Sequence, residues 1–276
     1  MFEHTVVAVH FSSSYKPLLE SLSELREMGA KEFTLVDVLR VDEPKDLSEA
    51  HKAEARRRLE QKQEDLQKDG FEVHIEQPVG HPAQELVKVA MGAKADLILL
   101  ASRGEGLWRE FFHGSTVLEL VRRTSIPTLI ERLDPKDDTP ISDLFSHILL
   151  ATDGSKRAEG AEAHALELAG RGGNRKLTLL QASESDVPAD AADRLRELAD
   201  KARAKGVDVA VRSEEGDADR VISRVAKEEH ASLVVLGKRG NAPHKELMLG
   251  ETAQEICRNV ASSVLVVPGS APVWTR

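Results

Sequence analysis

Two stretches of this 276-residue chain carry residue types at spacings suited to holding a phosphorylated ligand. One runs glycine, two residues, glycine, nine residues, glycine, with a hydroxyl close behind: Gly237, Gly240, Gly250 and Thr252. The other, Ala101, Gly104, Gly114, Ser115 and Thr116, keeps most of that form. Glycines let backbone N–H groups approach a phosphate closely, and a helix start adds unpaired donors and a favourable dipole. A hydroxyl there adds one more hydrogen bond. Glu251 opposes this chemistry, since a carboxylate about 4 Å from a phosphate charge costs about 4 kcal/mol at an effective dielectric constant near 20, or about a thousandfold in affinity. Lys238, Arg239 and Lys245 are the nearby cations that can offset it.

These stretches belong to a repeat. Ala95-Asp96-Leu97-Ile98-Leu99-Leu100 matches Ala231-Ser232-Leu233-Val234-Val235-Leu236, and the same offset carries Gly104 onto Gly240 and Gly114 onto Gly250. Upstream, Val6-Val7-Ala8-Val9-His10-Phe11-Ser12 pairs with Leu149-Leu150-Ala151-Thr152-Asp153-Gly154-Ser155 at a slightly larger offset. The second half is therefore shorter between its second strand and second helix, where a surface loop shortens at little cost. A charged segment with two prolines, 135–144, separates the halves. The expected domains are 1–134 and 145–276.

Each half reads as strand and helix in strict alternation, five strands to four helices. The strands are continuous runs of Val, Ile and Leu, the pattern of a parallel sheet covered on both faces. One expected helix, 156–169, places Ala158, Ala161, Ala165 and Leu168 at helical spacing and stops at Gly170, read as a left-handed cap. The fold class is thus α/β: two repeated doubly wound domains, each an open, mostly parallel five-stranded sheet with helices on both faces. In such a sheet ligands sit beyond the carboxyl ends of the strands, where strand order reverses. Asp153 and the glycine loops lead to that place.

Composition excludes several classes. Lys and Arg total 38 against 47 for Asp and Glu, so the net charge of -9 disfavours nucleic acid and acidic membranes as partners. Arg56, Arg57 and Arg58, on a polar helix over 50–68, read as a solvated face. The start shows no basic leader, and no apolar run approaches membrane-spanning length, so a soluble protein is expected. The single cysteine, Cys257, reads as a small buried residue in a helix and fits a reducing compartment. Ten histidines show no metal-ligand spacing, so the only metal expected is Mg²⁺ accompanying a nucleotide. An aromatic run, Trp108, Phe111 and Phe112, lies within the first glycine loop and is expected to pack within the chain, beside the site.

The Leu150-Ala151-Thr152-Asp153-Gly154-Ser155 start, the spaced glycines and the Val264-Leu265-Val266-Val267-Pro268 ending, repeated in order, resemble the universal stress protein family along nearly the whole chain. The resemblance implies an adenine nucleotide alpha hydrolase-like fold, a cytoplasmic stress-response regulator, and ATP or AMP as ligand. It implies that Asp153 contacts adenine, Ala182 packs beside the base, and Gly237, Arg239, Gly240, Gly250 and Thr252 hold ribose and phosphates. The corresponding first-half positions are His10, Val38, Gly104, Gly114, Ser115 and Thr116. It further implies pairing of the halves through their last strands, 128–131 and 264–267, and a homodimer. Each half departs from the pattern: His10 replaces the aspartate and Ala101 a glycine in the first, and Glu251 replaces a hydroxyl in the second. No general base or Mg²⁺-binding carboxylate set stands out, so the expected role is regulatory rather than enzymatic, a slow ATPase being the rival activity. A nucleotide-free adaptor acting through protein partners is the other reading.

Overall fold

The computed structural model describes residues 1–9, 15–44, 46–103, 114–133, 143–171, 175–183, 189–240 and 249–269. The first half comprises β1 (His4–Ala8), α1 (Tyr15–Glu27), β2 (Glu32–Val36), β3 (Leu39–Arg40), α2 (Glu49–Lys68) and β4 (Glu72–Glu76). It continues with β5 (Val79–Gly80), α3 (Pro82–Gly92), β6 (Leu97–Arg103), α4 (Gly114–Arg123) and β7 (Thr128–Leu133). The second comprises β8 (His147–Ala151), α5 (Glu159–Gly170), β9 (Lys176–Ser183), α6 (Ala189–Ala204), β10 (Asp208–Glu215), α7 (Ala218–Glu228), β11 (Leu233–Gly237), α8 (Glu251–Asn259) and β12 (Ser263–Val267).

Both halves repeat one doubly wound order among the described residues: β4-β2-β1-β6-β7 and β10-β9-β8-β11-β12. Every pairing within a half's five-stranded sheet is parallel. The apolar runs of the inner strands explain this, because those strands have a helical layer on both faces, whereas the outer strands β4 and β10 alternate with exposed polar residues. On one face α1, α2, α5 and α6 contribute Leu22, Leu59, Ala165 and Leu198 to a common core. On the other, α3, α4, α7 and α8 contribute Leu86, Val117, Val225 and Ile256.

β7 and β12 pair antiparallel, with Ile130 opposite Val264, Leu129 opposite Leu265 and Thr128 opposite Val266, so the two sheets run on as one. Both strands are buried throughout. β7 extends two residues past Glu131 and carries two charged side chains into the interior. The Ser21 hydroxyl donates to Glu131. Arg132, 1 % exposed, donates from Nη2 to the Cys257 carbonyl at 2.5 Å and from Nε to the Val260 carbonyl at 3.1 Å, closing the C-terminal end of α8. Burial holds its guanidinium at about 10, below the ordinary arginine range.

Several details differ from the sequence reading. β3 and β5 form a separate two-stranded parallel sheet in the first half, and β3 lies where the second half is shorter. Residues 156–158 form a turn in which the Ala158 N–H donates to the Ser155 carbonyl at 2.9 Å, so α5 begins only at Glu159. Gly170 stays inside that helix, and Arg171 closes it with φ −84°, so Gly170 is not the left-handed cap. Its missing Cβ serves packing instead, since a side chain there would come within 2.9 Å of Lys205 Cδ. Of the expected linker, 135–142 lies outside the described residues, while Leu144 is buried and its N–H donates to Glu24 Oε2 at 2.8 Å.

Replacing Arg132 by Met keeps the bulk but removes the donors to two buried carbonyls, which costs about 2 kcal/mol net of the relieved desolvation. Urea denaturation of the full chain should show that loss as a lower midpoint with unchanged slope. Wild-type stability would mean that the carbonyls of Cys257 and Val260 find other donors.

Candidate functional site

Strand order reverses between β8 and β11 in the second half and between β1 and β6 in the first. The second-half crevice is largely described. Asp153 follows β8 on an exposed turn, where its Oδ1 accepts the Ser155 N–H at 3.0 Å and Gly154 adopts φ +70°, a left-handed conformation that a side chain would strain. Asp153 is thus a turn former rather than the cap of α5, which starts at Glu159 after Ala158.

A buried polar network fixes that turn. Thr152 Oγ1 accepts the Gly154 N–H at 3.1 Å and donates to Glu162 Oε1 at 2.8 Å. Glu162, 1 % exposed on α5, accepts from Arg194 of α6 through Nη2 at 2.6 Å and Nε at 3.1 Å. The hydrogen bond to Glu162 raises the Arg194 guanidinium above its ordinary value. Thr152, Glu162 and Arg194 were not singled out in the sequence, because their link is spatial. The spacing of ten residues between Thr152 and Glu162 has no meaning until α5 folds back on β8.

The glycine loop comes to meet Asp153. A Cβ on Gly240 would stand 2.5 Å from Asp153 Oδ2, so the loop lies against this carboxylate and a side chain there would push it aside. Arg157, just beyond the Asp153 turn, donates from Nη1 to the Gly240 carbonyl at 3.3 Å. Gly237 ends β11 opposite Val267, and a Cβ there would lie 3.1 Å from the Arg239 carbonyl. The Gly250 N–H donates to the Lys238 carbonyl at 3.0 Å, which places the start of α8 beside the end of β11. Gly250 is the N-cap of α8, and Thr252 is half-buried in its first turn. Ala182 lies at the end of β9, half-buried on the face of the core that contains Leu236 and Ala253. Asp153, Gly237, Gly240 and Gly250 are therefore joined by direct contacts or one shared loop, and residues 241–248, Lys245 among them, lie outside the described residues.

Two neighbours behave differently from the sequence reading. Lys238 does not offset Glu251. Its side chain is 6 % exposed and crosses to the first half, where Nζ donates to the carbonyls of Arg122 at 2.7 Å and Thr124 at 2.9 Å. Burial and then the charge of Arg239 lower its ammonium to about 8. Glu251 is exposed in the first turn of α8, so solvent screens its charge and the thousandfold penalty is an overestimate.

The first half differs. β6 continues as strand through Ala101, Ser102 and Arg103, paired with Glu131, Arg132 and Leu133. The corresponding strand β11 ends at Gly237, where a side chain would ask the Arg239 carbonyl to shift by a few tenths of an ångström. Val38 is buried just after β2, and α4 starts at Gly114 with Ser115 and Thr116 in its first turn. His10, Gly104, Trp108, Phe111 and Phe112 lie outside the described residues. Cys257 is fully buried in α8, its thiol pushed up to about 12 by desolvation. Arg56, Arg57 and Arg58 each pair with a glutamate on the exposed side of α2. No cluster of three or more His, Cys, Asp or Glu that could hold a metal occurs among the described residues, and none of their helices is long and apolar enough to cross a membrane.

A family model described as the universal stress protein family matches residues 1–132 and again 144–268. A universal stress protein of Synechocystis sp. is 36% identical over 67 residues, 24% of this chain and 23% of that protein. One of Methanocaldococcus jannaschii is 30% identical over 77 residues, 28% of this chain and 48% of that protein. The matches thus span about a quarter and about half of these relatives' lengths. Among solved structures, a universal stress protein from Archaeoglobus fulgidus superposes with a TM-score of 0.76 at 22% identity, over 96% of each chain, which supports the fold.

Beside Val38, Asp37 is 5 % exposed, and burial together with the charge of Asp46 raises its carboxyl to about 6 from 3.8. Between these values the folded chain binds the proton that the unfolded chain releases, so this group's contribution to stability falls as pH rises from about 4 to about 6. Asp37→Asn removes that loss. Relative to wild type it should gain up to about 3 kcal/mol at pH 7.5, with the gain vanishing toward pH 4. Denaturation at both pH values checks this; a pH-independent difference would mean that Asp37 titrates alike in the folded and unfolded chain.

Proposed function

Since the chain belongs to the universal stress protein family, with two copies of the family domain, we propose that it is a stress-response regulator that binds an adenine nucleotide, ATP or AMP, in its second half. One observation carries this reading: Asp153, at the end of β8, lies directly against Gly240 of the loop after β11. A base-contacting carboxylate and a phosphate-holding loop thereby share one crevice at the point where strand order reverses, the place where open α/β sheets take ligands. In this reading Asp153 accepts from the exocyclic amine of adenine, Ala182 lies beside the base, and Gly237, Arg239, Gly240, Gly250 and Thr252 face ribose and phosphates. Mg²⁺ would accompany the phosphates. The start of α8 adds N–H donors and a positive dipole end.

In this reading binding is regulatory rather than catalytic, because no general base stands beside the crevice among its described residues. Glu251 is exposed and its neighbour Lys238 is engaged elsewhere. The first half serves mainly as scaffold, since β6 runs on through Arg103 where β11 ends at Gly237. A cytoplasmic location and a homodimer belong to the same reading. The dimer contact would use a helical face, because β7 and β12 already pair with each other and the outer strands β4 and β10 present Glu72, His74, Glu76 and Asp208 at their exposed positions.

A competing reading, a nucleotide-free adaptor, is favoured by one feature: Glu251 already complements the N-terminus of α8 with its own charge.

Mass spectrometry of small molecules released from purified protein and calorimetric titration of ATP decide between them. Wild type should bind ATP. Asp153→Ala and Gly240→Val should each weaken binding at least about tenfold, the second by displacing the carboxylate it would overlap. Glu251→Ser should bind about tenfold more tightly. No retained nucleotide and no titration heat in wild type would favour the adaptor.

A further inference from the structure

The two helices that begin at the candidate phosphate positions are each held, at the opposite end, by a buried cation from the other half. α4 begins at Gly114 in the first half, and its C-terminal carbonyls, those of Arg122 and Thr124, accept from Lys238 at the end of β11. α8 begins at Glu251 in the second half, and the carbonyls of Cys257 and Val260 at its far end accept from Arg132 of β7. The Arg122 guanidinium also donates to Gln254, linking the two helices directly. Carbonyls in a last helical turn lack intrahelical donors, and a cation there complements the dipole. Because Lys238 and Arg132 are 6 % and 1 % exposed, solvent screens these contacts little.

Lys238 differs from Arg132 in one respect: its own backbone is part of the glycine loop. Its N–H donates to the Val267 carbonyl at 2.8 Å, its carbonyl accepts the Gly250 N–H at 3.0 Å, and Gly237 and Arg239 flank it. A ligand that engages Gly250 and Arg239 therefore acts on a residue whose side chain closes a helix of the other half. Along that helix, ten residues and about 15 Å away, stand Gly114, Ser115 and Thr116.

We propose that Lys238 couples the two crevices: occupation of the second-half loop fixes the Lys238 backbone, seats its amine on the Arg122 and Thr124 carbonyls, and so steadies α4. This rests on the reading of the second half as a nucleotide site. The two arrangements that differ are amine seated and amine withdrawn, and the ligand favours the first because it orders the Gly237–Lys238–Arg239 backbone. By linkage, a change imposed on α4 alters affinity in the second half by the same factor.

Hydrogen–deuterium exchange of the full chain, with and without saturating Mg²⁺-ATP, tests the proposal on wild type, Lys238→Met and Lys238→Arg. Saturation is set by calorimetry on each protein. In wild type, ATP should slow exchange at Thr124 and the last turn of α4 by about tenfold, a coupling of ordinary size. Lys238→Met, which keeps the bulk and loses the cation, should exchange faster there without ATP and show no response at saturation. Lys238→Arg, which restores a cationic donor and guards against a mere folding defect, should recover the response. ATP binding without any change at α4 in wild type, or the same slowing in Lys238→Met, overturns the coupling and leaves the nucleotide reading standing. Absence of ATP heat in wild type overturns both.

Discussion

Antiparallel pairing of β7 with β12 joins two parallel sheets at strands that are too apolar to stand at an edge. Val264, Leu265 and Val266 face Ile130, Leu129 and Thr128 across that ladder, and every residue of both strands is buried. Left unpaired, β12 would present a row of free N–H and C=O groups with no charge to discourage association, and β7 would expose Thr128, Leu129 and Ile130 beside its two charged residues. Paired, they turn two domains into one continuous sheet and oblige the helical layers on both faces to meet. The reach of Arg132 to α8 and of Lys238 to α4 follows from that join, since each cation sits beside the seam and closes a helix on its far side.

Burial of charge at the seam is what makes those contacts specific. An apolar seam would tolerate sliding by two residues, whereas Arg132 must bring its guanidinium to two defined carbonyls and Glu131 must meet Ser21. A one-residue slip would send Arg132 toward α1 and Glu131 toward α8, because adjacent strand residues face opposite sides. The register is thus held by polar groups whose loss of water is compensated in only one alignment.

The fold was largely legible in the sequence because its signals are local and repeated. Runs such as Leu233 to Leu236 declare buried parallel strands, and the match of Leu97 to Leu100 with them declares the duplication. The glycines were legible as loop formers and caps, but their surroundings were not: Gly240 lies against Asp153, Gly237 close to the Arg239 carbonyl, and Gly170 against the Lys205 side chain. Lys238 was misread for a related reason. Its place between two loop glycines suggests a phosphate contact, yet the direction of a side chain at a strand end depends on which element lies across the seam, and that element is more than a hundred positions away. Thr152, Glu162 and Arg194 escaped notice likewise, each being ordinary where it stands in the chain.

The halves diverge where their fourth long strands end. Alanine at 101 stands at the position that Gly237 occupies in the second half, and the first half continues its ladder two residues further, through Arg103. The added strand residues pair with Arg132 and Leu133, the part of β7 that carries the cap on α8. Extending β6 in the first half therefore supports the helix whose N-terminus faces the second-half crevice. Duplication permits this division: one copy extends a strand and uses the added residues to brace a helix of the other.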